Sequence, residues 1–105
     1  MSQAPHHPFP HGLEQIYAVL EWVSKGGLNR LLEQHPKAQH TSIRVNPHLL
    51  AISGGSAGSN LAAAVTLLAI ERPIANAKIV ALGLLYPAVD LALPFKEKVD
   101  QVECV

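Results

Sequence analysis

One stretch of this chain carries residue types and a spacing suited to covalent chemistry. Gly54-Gly55-Ser56-Ala57-Gly58 spells G-x-S-x-G, entered from the apolar run Leu49-Leu50-Ala51-Ile52 and left through the long apolar segment Leu61–Ile70. In a strand–turn–helix setting this pattern is a nucleophile elbow, which lifts a serine hydroxyl above the end of a sheet. An elbow serine sits in a strained backbone conformation, and its neighbours must be nearly free of side chain so that strand and helix can meet at a sharp angle. Gly54, Gly55, Ala57 and Gly58 meet that need at every neighbour of Ser56. Rival glycine-loop chemistries fail on spacing. A dinucleotide fingerprint starting at Gly54 requires glycine where Ser56 and Ser59 stand, and no Gly-Lys pair exists to make a P-loop. A plain tight turn does not need small residues at five consecutive positions.

A serine hydroxyl is a weak nucleophile until a base takes its proton. All six histidines (His6, His7, His11, His35, His40 and His48) precede Ser56, and none follows it. His48 opens the strand that leads to the turn, roughly 25 Å of extended chain away at the wrong end of the sheet. His35 and His40 lie in or near a connection to that same end. His7 and His11 are better placed, because helices that follow parallel strands start on the side where the site lies. His6, His7 and His11 also raise a metal reading, but Pro8 and Pro10 forbid the helix that would align an i, i+4 pair, so no metal site is expected. A small anion held by the N–H groups at the start of the helix after the elbow is a third, weaker chemistry.

Several elements must position this turn. Leu13, Ile16, Tyr17, Leu20 and Val23 form the stripe of an amphipathic helix, with Pro10 as its start signal and Gly26-Gly27 as its stop. A second short helix is predicted over Leu28–His35, with Leu28, Leu31 and Leu32 on one face and Pro36 ending it. Residues 36–48 read as a connecting loop. A strand over Leu49–Ser53, the elbow, a helix from about Ser59 to Glu71 and a strand over Lys78–Leu85 then make a βαβ unit with parallel strands. The tail from Pro94 onward is charged and is expected to fray.

The bulk figures bound the rest. The 105 residues suffice for one small domain, read as a single partial domain over 1–105. Formal net charge is zero at pH 7, which points away from nucleic acid as a partner. No apolar run is long enough to span a membrane. The single cysteine, Cys104, cannot form an internal disulfide, and with no signal segment visible a cytoplasmic location is favoured. Strands without polar alternation belong in sheets covered on both faces, and the elbow helix is apolar almost all round. Two strands alone are marginal in water, so exposed apolar surface and self-association are expected of this chain.

Gly54-Gly55-Ser56-Ala57-Gly58-Ser59-Asn60-Leu61-Ala62 resembles the G-D-S-A-G-G-N-L-A elbow of the hormone-sensitive-lipase-like branch of the α/β-hydrolases. Ala4-Pro5-His6-His7-Pro8-Phe9-Pro10 is similar to that branch's A-P-E-H-P-F-P segment, and Tyr86-Pro87 with Asp90 to its Y-P-x-x-D. The resemblance covers about residues 4–93, the central third of a typical member. It implies an α/β fold, a partial α/β-hydrolase with a parallel βαβ unit and a preceding amphipathic helix. It also implies hydrolysis of small-molecule carboxylic esters through an acyl-enzyme, with no cofactor. Carried over by position, Ser56 is the nucleophile and the Ala57 N–H donates to the oxyanion.

The departures are specific. Gly55 replaces an acidic residue, Ser59 a glycine, and His6 the glutamate of A-P-E-H. The H-G-G-G segment of the family is not in the sequence, and the triad histidine follows the serine in this fold. The 105 residues by themselves are therefore expected to be inactive. Asp90 matches the loop-fixing position of Y-P-x-x-D better than a triad acid, while Glu97, Asp100 and Glu103 read as solvated. Tyr86 lines an acyl pocket or simply packs at a strand end, and Asn60 reads as a first-turn helix residue.

Overall fold

The computed structural model describes residues 6–37, 42–88, 92, 94 and 96–97. The elements are α1 (His11–Ser24), α2 (Gly27–Gln34), β1 (Leu49–Gly55), α3 (Ala57–Glu71) and β2 (Lys78–Leu85). The periodic stripe places α1 as expected. Tyr17 is buried in the core with Leu50, Val65 and Ile74, and Leu13, Ile16, Leu20 and Val23 pack around them. Tyr17 also donates its hydroxyl to the Arg72 carbonyl at 2.6 Å, closing the end of α3 from a residue 55 positions away. The Arg72 guanidinium lies over the Tyr17 ring at 4.6 Å and makes a two-oxygen contact with Glu14. The hydrogen bond that Arg72 donates to Glu14 raises the Arg72 pKa above its usual value.

Gly26 and Gly27 do different jobs. Gly26 takes φ +81°, the left-handed conformation that ends α1 and serves as the N-cap of α2. Gly27 is already helical, and a Cβ there would stand 2.2 Å from the Trp22 ring. It is therefore a packing glycine, not part of a stop signal. The leucine face of α2 is left uncovered, with Leu31 more than half exposed. Asn29 anchors the following loop by donating to the Val45 carbonyl at 2.8 Å and accepting the Val45 N–H at 2.9 Å.

β1 and β2 pair in parallel, as the βαβ spacing requires, with α3 packed across both. The register changes once. Leu50 faces Ile79 and Ala51 faces Ala81, leaving Val80 as a bulged residue without a partner. The bulge lets Ile79 and Leu82 share a face with Leu50 and Ile52, although an odd number of steps separates them. Val65 and Ser59 of α3 are fully buried, whereas Leu67 and Ile70 on its outer side are 63% and 70% exposed. The far face of the sheet carries Leu49, Ala51, Ser53 and Gly55 beside Ala81, Gly83 and Leu85, all exposed. Among the described residues the apolar strands thus lie in a two-stranded sheet covered on one face.

Candidate active site

β1 runs to Gly55 and α3 begins at Ala57, so the whole reversal from strand to helix falls on Ser56. The sequence led us to expect a longer turn, with the strand ending at Ser53 and the helix starting at Ser59. One residue suffices because Ser56 adopts φ 52° and ψ −119°, a conformation that L-residues rarely take. Such a backbone costs on the order of 1–3 kcal/mol and persists only where surrounding contacts enforce it. Those contacts are visible. The Ser56 N–H donates to the Leu85 carbonyl at 3.0 Å, and the Ser59 N–H donates back to the Ser56 carbonyl at 3.0 Å. The Ser56 side chain stands exposed at the C-terminal end of the sheet.

Crowding around the turn is concentrated at one glycine. A Cβ on Gly54 would lie 2.2 Å from the Gly58 carbonyl oxygen, so the strand and helix backbones meet there. A Cβ on Gly58 would meet nothing within 4 Å, and the nearest atoms to one on Gly55 belong to the Tyr86 side chain, its hydroxyl at 3.3 Å. The expectation that every neighbour of Ser56 must be small is corrected accordingly. The packing of β1 against α3 needs Gly54; Gly55 and Gly58 are not sterically required by the described residues. Ala57 opens α3, so its N–H belongs to the first turn, where no intrahelical acceptor exists.

The described histidines do not converge on Ser56. His7 and His11 stack with ring centroids 4.6 Å apart, at the start of α1. One turn further on, Glu14 is ion-paired with Arg72 at the far end of α3, about 22 Å along the helix from Ser56. Their expected position near the site is thus overturned, because the start of α1 packs against the C-terminal end of the elbow helix. His48 lies where anticipated, at the start of β1, with Nδ1 2.6 Å from the Asn76 carbonyl. His35 is exposed just after α2. His40 and Asp90 lie outside the described residues, as do Asp100, Glu103 and Cys104. Tyr86 is 78% exposed at the end of β2 and takes φ 39°, so it is not packed as a strand-end aromatic. Asn60 is in the first turn of α3, as expected, and donates its side-chain amide to the Ala88 carbonyl at 2.8 Å.

Sequence reasoning gave the Ser59 hydroxyl no role, noting that this residue stands where glycine fingerprints need a glycine and opens the predicted helix. Its hydroxyl is fully buried and lies 2.5 Å from the Gly54 carbonyl and 2.8 Å from the Leu85 carbonyl, and it accepts the Leu85 N–H at 3.1 Å. A buried serine three residues after the elbow, where small apolar residues dominate, was the available signal. Among the described residues no group of three His, Cys, Asp or Glu side chains gathers as a metal would require, and no helix is long and apolar enough to cross a membrane.

The parallel strand–helix–strand unit fits an α/β fold, and the comparisons show which family it belongs to. A family model described as alpha/beta hydrolase fold matches residues 2–104. The chain belongs to the α/β-hydrolase fold family, and its relatives place it in the hormone-sensitive-lipase-like branch. Arylacetamide deacetylase of Mus musculus is 38% identical over 85 residues, which are 81% of this chain and 19% of that protein. Carboxylesterase NlhH of Mycobacterium tuberculosis is 32% identical over 100 residues, 92% of this chain and 27% of the relative. Among solved structures, that of DphMB1 superposes with a TM-score of 0.61 at 33% identity, covering 91% of this chain and 28% of the other. The chain thus spans about a quarter or less of the length of the curated relatives it matches.

Proposed function

We propose that this chain carries the nucleophile of a serine carboxylic-ester hydrolase of esterase or lipase type. The observation behind the reading is the backbone of Ser56, strained and exposed at the C-terminal end of a parallel strand. Ser56 Oγ attacks the ester carbonyl carbon while a histidine base takes its proton, and the carbonyl oxygen becomes an oxyanion stabilised by the Ala57 N–H. Collapse of this intermediate expels the alcohol, which receives the proton from the histidine. Water then hydrolyses the acyl-Ser56 ester by the same steps in reverse roles. The 105 residues supply no histidine after Ser56, so the base is the missing partner in this chemistry.

Replacing the matching segment of the mycobacterial carboxylesterase with residues 2–104 tests the assignment. A folded chimera that hydrolyses a short-chain p-nitrophenyl ester, and loses that activity with Ser56→Ala, supports it. A folded chimera without turnover sinks it. The 105-residue chain by itself is expected to resist fluorophosphonate labelling; rapid labelling that depends on Ser56 would show that an upstream histidine or a second chain supplies the base.

A second reading, association without catalysis, is favoured by the open sheet, where Leu49, Val80 and Leu85 are 54–60% exposed. Sedimentation over a concentration series separates the two. A single monomeric species throughout would remove the association reading.

A further inference from the structure

We propose that Ser59 is a positioning residue for the nucleophile, holding the end of β2 against the elbow so that the Ser56 backbone keeps its strained conformation. The inference rests on the reading of Ser56 as nucleophile. Its physical basis is a closed set of hydrogen bonds around one buried hydroxyl. Ser59 Oγ accepts the Leu85 N–H at 3.1 Å, and its single proton goes to the Gly54 carbonyl at 2.5 Å or the Leu85 carbonyl at 2.8 Å. The Leu85 carbonyl also accepts the Ser56 N–H at 3.0 Å. One side chain in the first turn of α3 therefore ties the residue two before the nucleophile to the strand end that holds the nucleophile's own amide.

A glycine at this position, as in the elbow this sequence resembles, has no hydroxyl with which to do this. Here the role matters more, because among the described residues no third strand holds the ends of β1 and β2. The hydroxyl is fully buried, so no water competes for these partners. Removing it deletes the bonds that tie the Leu85 N–H and the Gly54 and Leu85 carbonyls to α3, and the end of β2 is then freer to shift away from Ser56.

Amide hydrogen exchange and the HN–Hα coupling of Ser56, measured by NMR on the 105-residue chain, test this. Ser59→Ala is expected to speed exchange at Leu85 and Ser56 by about tenfold or more, with α1 amides unchanged. It should also move the Ser56 coupling away from its positive-φ value. Ser59→Thr, which keeps the hydroxyl, should restore both signals. Ser59→Cys fills nearly the same space with a poor hydrogen-bonding group, so it decides the case if the alanine variant does not fold. Unchanged Leu85 and Ser56 amides in a folded Ser59→Ala or Ser59→Cys chain would overturn the proposal, as would a uniform loss of protection reaching α1. None of these readouts requires a reactive serine. A chimera inactive at Ser56 with a positive exchange result would overturn the nucleophile reading alone, whereas an active chimera with unmoved amides would overturn the role of Ser59 alone.

Discussion

At the scale of single residues, the elbow concentrates opposing demands on Ser56 and Gly54. The strain at Ser56 is relieved by glycine, which tolerates positive φ, and is not relieved by alanine, which keeps the Cβ. Ser56→Gly should therefore unfold at higher denaturant than Ser56→Ala, by about 1 kcal/mol once the extra freedom of glycine in the unfolded chain is deducted. Equal midpoints would mean that the backbone is not strained. Gly54→Ala drives a methyl into the Gly58 carbonyl, a backbone atom that moves only if β1 and α3 separate, and should cost about 3 kcal/mol or unfold the chain. Gly58→Ala meets open space and replaces glycine within a helix, so it should be neutral or stabilising by up to about 1 kcal/mol in the same denaturation series. Five small residues in a row were legible as a turn, but which of them the packing requires was not. That depends on the angle between β1 and α3, which local composition does not encode. Ser59 escaped notice for a similar reason, since its partner Leu85 is 26 residues away.

Elements read better than the contacts between them. The stripe of α1 and the strand–helix–strand order of the βαβ unit follow from periodicity and spacing, and both appear in the structure. The placement of α1 does not follow. It is set by Tyr17 and Glu14 meeting Arg72 across more than 50 residues, and nothing local to the Pro-rich segment announces that end of α3 as its neighbour. The misplacement of His7 and His11 near Ser56 came from treating α1 as though its start followed a strand of this chain. Tyr17→Phe removes the 2.6 Å bond to the Arg72 carbonyl while keeping the ring in the core. Thermal denaturation should show a loss of about 1 kcal/mol, and an unchanged midpoint would mean that the hydroxyl does not fasten α1 to α3. The pairing of Asn29 with the Val45 backbone was equally hidden, because its loop partner lies 16 residues on without a recognisable pattern.

For the molecule as a whole, the unbroken apolar character of both strands called for cover on two faces, and the described residues provide one. Formal net charge is zero at pH 7, so charge repulsion does least to keep copies apart near neutrality. Solubility should pass through a minimum there and rise in either more acidic or more alkaline buffer; a solubility that is flat with pH would count against apolar association under charge control. The bulge in β2 has a different kind of consequence. In most strands a lost residue is ruinous, since every side chain beyond it changes face. Here the paired residues read Leu50 with Ile79, then Ala51 with Ala81, so removing Val80 leaves an unbroken ladder with each later residue still opposite its present partner. The gene could lose that one codon and the protein would keep its inward and outward sides. Such a position is where closely related sequences can differ in length within a strand, a place usually closed to insertion and deletion.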